Sequence, residues 1–444
     1  MMQANVFRLS MAHPGDLSAL EQLIAAGTVR AADIVAIIGK TEGNGGVNDF
    51  TRGYFTQTLM ALLSGYLGRP ARQLIHEIPC VLSGGTEGVM SPHYVVFCRS
   101  DGGATPVGTA ALTIGRAFSA PVAPEDIGRR AHVESVTAAV TQAIKDAGID
   151  DLDDVHFVQV KCPCVTVARA QTAASAGKTV LTSDSNKSMA YARAAGTFGV
   201  ALALGELKPD GFNDASLLSD FSILSSRASI SSGVEVESNE VIVLGNSRHW
   251  TGPLHIAHRP MEDALDIGAV VNVLADLGIP ATPQVSARDA ARIAAVLVKC
   301  EPDRRGHVRG NRHTMLDDTD INAQRHVRGN LAQRFPIVRP DYRFQAPAAK
   351  TIDRTAVQHR QPRLLRRTRL QSGESRVGRE LNERRRQSGR FGKTFLRTHA
   401  GIFPIHHDEP GSQPHHEQQA ARKAQPSVAN NRELADVTAQ PPHE

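Results

Sequence analysis

The stretch VHFVQVK, residues 155–161, reads as a buried strand that ends on a lysine. Its apolar run is too short for a helix and suits a strand covered on both faces. The same design occurs twice more: DIVAIIGK ends at Lys40 and AAVLVK ends at Lys299, although the alanine-rich context of the last also admits a helix. After each lysine comes an arginine: Arg52 in TRGYFTQTLMALLSG, Arg193 in ARAAGTFGVALALG and Arg328 in HVRG. The first two open apolar stretches of helical period that close at Gly65 and Gly205, as helix C-termini commonly do. A serine-glycine turn and a further strand follow, in LSGGTEGVMSPHYVVF from Leu82 and ISSGVEVESNEVIVLG from Ile230. Setting Ser83 against Ser231 places Glu87 and Glu235 at one offset, and the apolar runs beyond them nearly coincide.

This recurrence predicts an α/β protein of three similar units, each a sheet with helices, spanning 1–104, 112–250 and 255–328. DGGATPVG (101–108) reads as a link, and IGRRAHVESVTAAVTQAIKDAGI (127–149) and PMEDALDIGAVVNVLADLGI (260–279) as amphipathic helices. The third unit is incomplete. Beyond Arg328 no Ser-Gly pair is followed by a strand, and the text turns to arginine, glutamine, histidine and proline.

Charge marks the same seam. Residues 329–444 hold 18 Arg and 3 Lys against 11 Asp and Glu, net +10, so the first 328 residues are net −5. The body thus gives no reason to expect a nucleic-acid or membrane partner. The five cysteines, Cys80, Cys98, Cys162, Cys164 and Cys300, form no disulfide framework, and Cys162 with Cys164 lacks a second pair to complete a metal site. The N-terminus has no basic region followed by an apolar one, and no run reaches the roughly 18 apolar residues of a membrane span, so a reducing cytoplasm is the default expectation.

A lysine at a strand end beside a Ser-Gly turn can form a Ser–Lys dyad, in which the amine is the base and the hydroxyl the nucleophile. Glycines after the serine let backbone N–H groups approach a developing oxyanion. Each lysine could equally be a solvated strand end and each Ser-Gly an ordinary turn; recurrence of the whole set favours the dyad. GKT at 39–41 lacks the earlier glycine of a phosphate loop, and IHEIP lacks the second histidine of a zinc-protease helix.

GKTEGNGGVNDFTRGY (39–54), LSGGTEGVMSPH (82–93), HFVQVKCP (156–163), SGVEVESNEVIVLG (232–245) and RGNRHTMLDDTDINAQRHVR (309–328) resemble the ring-opening amidohydrolase family of cyanuric acid amidohydrolase and barbiturase. The resemblance spans residues 2–328 and leans to the cyanuric acid branch. It implies three units around one pseudo-threefold central site, and a homotetramer. Each unit would supply a lysine, an arginine and a Ser-Gly pair: Lys40, Arg52 and Ser83-Gly84; Lys161, Arg193 and Ser231-Ser232; Lys299 and Arg328. Ser231 would be the nucleophile and Lys161 its base, with Lys40, Ser83 and Lys299 in supporting dyads. The substrate would be a small cyclic imide, and the implied reaction opens cyanuric acid to carboxybiuret, which decarboxylates to biuret. No cofactor is required for that chemistry; a structural Mg2+ or Ca2+ is implied, with Glu301 a ligand and the remaining ligands lost beyond the seam. Barbiturase activity, or a catalytically dead protein whose basic tail binds nucleic acid, are the alternatives. The tail carries few aromatics among its arginines, which makes nucleic acid the weaker expectation.

The family's third unit should continue past Arg328 through a small-residue helix, a strand and a third Ser-Gly pair. A frame change there accounts for their loss: Gly-Asn codons read one base over can encode Val-Thr, which relatives commonly have. The tail, poor in patterned apolar surface, is then expected to be disordered. Sequencing the transcript through the Arg328 codon is expected to reveal the shift; an intact frame encoding the tail as printed removes the idea.

Overall fold

The computed structural model describes residues 1–84, 91–102, 110–262 and 266–297, and the backbone of short strands at 307–308, 311–312, 335–338, 395–398 and 401–404. Contacts divide the chain into Met1–Gln345 and Ala346–Glu444.

The first unit runs β1 (Met2–Ser10), α1 (Ser18–Ala25), β2 (Ile34–Lys40), α2 (Thr51–Leu67), α3 (Ala71–Leu74), β3 (Cys80–Ser83) and β4 (His93–Asp101). Its sheet has the order β3-β2-β4-β1; β2 is parallel to β3 and antiparallel to β4, and β1 is antiparallel to β4. The second unit runs β5 (Ala111–Pro121), α4 (Arg130–Ala147), β6 (Val155–Pro163), α5 (Val167–Ser175), α6 (Ser185–Ala203), β7 (Ala228–Gly233) and β8 (Ser238–Ser247). Its order, β7-β6-β8-β5, repeats the first with the same senses. A short β9 (Trp250–Thr251) then adds in parallel to β1.

The third unit contains β10 (His255–Ile256), α7 (Ile267–Asp276), α8 (Ala287–Ala290) and β11 (Ile293–Leu297). The alanine-rich stretch before Lys299 is therefore strand, not helix. A small hairpin of β12 (His307–Val308) and β13 (Asn311–Arg312) follows. β14 (Phe335–Val338) lies antiparallel between β10 and β11, the place that β4 and β8 hold in their sheets. The run FPIV falls past the seam, in the segment assigned to the tail, where the sequence reading finds no strand; four apolar-rich residues suffice because two flanking strands supply the hydrogen bonds. Within residues 346–444, β15 (Phe395–Thr398) pairs with β16 (Gly401–Pro404).

Alternation sorts the side chains. On β4, Tyr94, Val96 and Cys98 pack under α1 and α2, while Val95 and Phe97 face the other way. On β8, Val241 and Val243 pack under α4 and α6, while Ile242 and Leu244 face away. The inward set joins Val81, Ile114, Phe157, Ala295 and Leu297 into one core shared by the three sheets. Fully burying each such side chain contributes about 1.5–3 kcal/mol. Helix boundaries differ from the sequence reading: α4 and α7 are shorter than the stretches 127–149 and 260–279. α2 continues through Gly65 and ends with Gly68 in the left-handed region (φ 63°), because Gly65 lies within a helix already held by its buried face. α6 begins well before Arg193, with the Asp184 carboxylate accepting the backbone N–H groups of Asn186 and Lys187. Among the described residues no helix is long and apolar enough to cross a membrane.

The contact of β5 with α4 is close: a Cβ on Gly115 would stand 1.9 Å from the carbonyl oxygen of Ala143. Gly115→Ala should therefore destabilise the chain by about 1–3 kcal/mol, read as a lower urea midpoint at unchanged slope. An unchanged midpoint would show that α4 is free to move off the sheet.

Candidate active site

The lysines of the first two units fall on the face of their sheets that looks into the shared core. On β6, Val158, Val160 and Cys162 pack under the helices, so Phe157, Gln159 and Lys161 turn inward. On β7, Ile230 packs under the helices, which turns Ser229 and Ser231 inward. Parallel pairing sets Lys161 directly opposite Ser231, and Lys40 directly opposite Ser83. The two lysines keep only 8% (Lys40) and 2% (Lys161) of their surface, which excludes a solvated strand end. Ser231 is 9% exposed, and among the described residues its Oγ has no hydrogen-bond partner. A buried hydroxyl left open in this way is uncommon and marks a place where something else is to bind or react.

The two units interlock at this point. Lys161 Nζ, from the second unit, donates to the Leu82 carbonyl of the first at 3.1 Å. Arg52, from the first unit, reaches Glu235 of the second, Nε to Oε1 at 2.8 Å. The same Oε1 lies 2.7 Å from Lys161 Nζ. These are charge contacts more than aligned hydrogen bonds, for Arg52 Nε and Glu235 Oε1 meet no hydrogen-bond geometry. Burial alone would raise the Glu235 pKa, but the Lys161 and Arg52 charges outweigh it and hold the carboxyl below its ordinary range. Arg52 is held further by the Gly46 carbonyl at 3.0 Å and by Asp49 at 3.6 Å. Asp49 in turn accepts the backbone N–H groups of Gly45 and Thr51, which ties the loop before α2 to its first turn.

Two glycines permit these approaches. A Cβ on Gly84 would stand 1.9 Å from Asp49 Oδ2, and one on Gly233 would stand 2.1 Å from Glu235 Oε2. The Gly84 carbonyl also accepts from Lys40 Nζ. The β3 terminus thus receives Lys40 at Gly84 and Lys161 at Leu82, so two of the three lysines converge.

The Ser232 hydroxyl donates to the Met189 carbonyl at 2.9 Å, which leaves its main chain and a lone pair for a ligand. Arg193 is half-buried on α6, its charge is felt at the Cys162 thiol, and it makes no ion pair among the described residues. Cys80, Cys98, Cys162 and Cys164 are unpaired, and burial pushes each thiol up, to about 12, 12, 12 and 11, so they are packing residues. Lys299, Arg328, Glu301 and Glu87 lie outside the described residues. Among the described residues no group of three His, Cys, Asp or Glu comes together to hold a metal.

Glu235 and Asp49 carry more of the site than the sequence reading gives them. Glu235 is signalled in the sequence by its offset from Ser231, which matches that of Glu87 from Ser83. Because its folded pKa lies below the ordinary 4.5, its contribution is complete above that pH and is lost as pH falls through the folded value. Glu235→Gln should cost about 1–3 kcal/mol at neutral pH. The difference from the parent chain should shrink below about pH 4.5 in denaturant titrations. A difference independent of pH would remove the ion-pair account.

The family described as amidohydrolase ring-opening protein matches residues 5–333. A cyanuric acid amidohydrolase of Azorhizobium caulinodans is 47% identical over 329 residues, 74% of this chain and 88% of the relative. One from Pseudomonas sp. (strain ADP) is 46% identical over 330 residues, 74% of this chain and 89% of its own. A solved cyanuric acid hydrolase, described as an evolutionary innovation by structural concatenation, superposes with a TM-score of 0.71 at 42% identity, covering 76% of this chain and all of the other. The hydrolase structure from A. caulinodans gives a TM-score of 0.67 at 47% identity, covering 75% of this chain and 91% of the other. A match across three quarters of the chain, on the segments that build the lysine–serine pairs, places this protein in the ring-opening amidohydrolase family.

Proposed function

We propose that this chain hydrolyses cyanuric acid, with Ser231 as nucleophile and Lys161 as its base. The observation that carries the reading is the pairing of Lys161 with Ser231 across β6 and β7, with the serine hydroxyl buried and, among the described residues, unpartnered. Neighbouring parallel strands lie about 4.8 Å apart, close enough for a lysine amine to reach the facing hydroxyl. The names of the relatives supply the substrate class.

The steps follow from those groups. Lys161 rests as the ammonium paired with Glu235; after it gives one proton to solvent, the free amine takes the Ser231 proton as Oγ adds to a ring carbonyl. The ammonium that forms meets Glu235, whose carboxylate already stands 2.7 Å away. The tetrahedral oxyanion needs donors, and the main-chain N–H groups after Ser231 would supply them, where one donor is typically worth about 2.7–4 kcal/mol. The C–N bond then breaks, and Lys161 returns the proton to the leaving nitrogen. Water adds to the resulting carbamate ester, again with Lys161 as base, and Ser231 leaves. The product is a carboxylated biuret, which loses carbon dioxide.

A ring with three carbonyls and three N–H groups suits a site of threefold design. Arg193, unpaired among the described residues, and Arg52 would hold carbonyl oxygens or the imide anion, with Ser83, Gly84 and Ser232 beside them. Lys299 and Arg328 would complete the third side. The implied divalent ion, with Glu301, would be structural, and no step passes through it. Assembly as a homotetramer belongs to the same proposal. The third unit retains a three-stranded sheet, but the family's third Ser-Gly pair does not appear in its sequence. We therefore place its activity below that of a chain with the family's third unit restored.

Ser231→Ala should lower ring opening by roughly three orders of magnitude without changing the oligomer size. Turnover that persists moves the nucleophile elsewhere. Restoring the family's reading frame after Arg328 should raise the rate by roughly a hundredfold, the usual cost of a misplaced site. Equal rates from the two chains would leave the missing segment without a role. Cyanuric acid and barbiturate, followed side by side by ultraviolet absorbance, separate the two substrates.

A further inference from the structure

β3 is the edge strand of the first sheet. Its pairing with β2 uses the Pro79 and Ser83 carbonyls, which receive Ile37 N–H and Thr41 N–H. The peptide groups of Cys80 and Leu82 therefore point away from β2, as alternation in a parallel ladder requires. Two side chains of the second unit meet them. The Glu240 carboxyl accepts Cys80 N–H at 3.0 Å, and Lys161 Nζ donates to the Leu82 carbonyl at 3.1 Å. Lys161 and Glu240 are direct cross-strand partners on β6 and β8. The pair does at this edge what a further strand would do, and so seats the Ser83 terminus beside Lys161.

The first unit provides the internal control. Lys40 holds the same register to Ser83 that Lys161 holds to Ser231, but its partner on β4 is His93 where Lys161 has Glu240. Lys40 turns back to the Gly84 carbonyl of its own unit.

We propose that Glu240 is a positioning residue that sets Lys161, and not Lys40, as the working amine. This rests on the assignment of Lys161 and Ser231 above. Glu240 acts in two ways. It holds β3 against the second sheet, which fixes Lys161 between the Leu82 carbonyl and Glu235. It also stays a neutral acid at neutral pH. Burial pushes its carboxyl up to about 8, against the pull of Cys80 N–H and Lys161 and with the help of Glu235. The groups that face it are Lys161 on β6, Cys80 on β3 and Glu235 on the turn before β8; its β5 neighbour is Phe118. A second carboxylate beside Lys161 would favour the ammonium, which cannot accept the serine proton. Protonated Glu240 keeps the amine facing one carboxylate, which Arg52 already shares.

Carbamoylation by cyanate tests this without requiring turnover, because cyanate is small and reacts with the unprotonated amine. Modification of Lys161 and Lys40 is followed by peptide mass spectrometry across pH. Glu240→Gln keeps a carbonyl for Cys80 N–H and cannot ionise. Its Lys161 should react at the parental rate at neutral pH and at least about threefold faster than the parent above the Glu240 pKa, while Lys40 should not change. The ring-opening rate should show the same split. Glu240→Ala, folded by circular dichroism, should lose kcat by about tenfold with KM little changed. Identical Lys161 profiles in parent and Glu240→Gln overturn the proposal, as does a Glu240→Gln chain that reacts slowly at neutral pH. Turnover surviving Ser231→Ala would remove the dyad assignment but leave the cyanate comparison to be read. Loss of turnover in Ser231→Ala with an unchanged cyanate profile would remove only the role of Glu240.

Discussion

Glu235 between Arg52 and Lys161 is the contact on which the site depends. It joins a cation of the first unit to a cation of the second across one buried carboxylate. Each of these charges would be costly to bury alone, and any one removed leaves the others uncompensated. The contact also solves a problem of construction. Two sheets can pack through apolar faces in several registers, since dispersion and burial are nearly non-directional. Ionic partners on opposite sheets, together with Lys161 on the Leu82 carbonyl, select one of them.

The repeat explains why the site lies where it does. Both complete sheets place a lysine on the central strand and a serine on the parallel neighbour, in the same register. Because side chains alternate, the lysine and serine fall on the inner face together, next to residues such as Phe157 and Val81 that form the shared core. The site is thus the polar rim of a hydrophobic junction. The third sheet follows the plan with β14 standing in for the expected strand, and Ala295 and Leu297 of β11 enter the same core. Repetition also permits divergence: His93 opposite Lys40 and Glu240 opposite Lys161 give two similar pairs different surroundings.

Periodicity carried much of this. The strands ending near Lys40, Lys161 and Lys299 and the amphipathic helices are local patterns, set by side-chain alternation and backbone preference within a few residues; the turns expected at Ser83 and Ser231 are instead strand, on β3 and β7, because a parallel neighbour supplies their hydrogen bonds. The end of α2 was misread because Gly65 looks like a terminator, while the buried face of the helix carries it on to Gly68. β14 was missed because a four-residue strand has no periodicity to detect; it exists through the strands on either side.

The amino-acid sequence by itself determined the repeated unit, the family to which it belongs and the identity of the lysines, arginines and serines of the first two units. The tertiary structure alone decided which of them meet. That Arg52 crosses to Glu235, that Lys161 caps the edge of β3, that Ser232 spends its hydroxyl on Met189, and that Glu240 lies buried against Cys80 all depend on pairs 43 to 183 residues apart. Local pattern holds no record of such distances, because charge and hydrogen bonding act through space and the chain between the partners leaves no imprint on either.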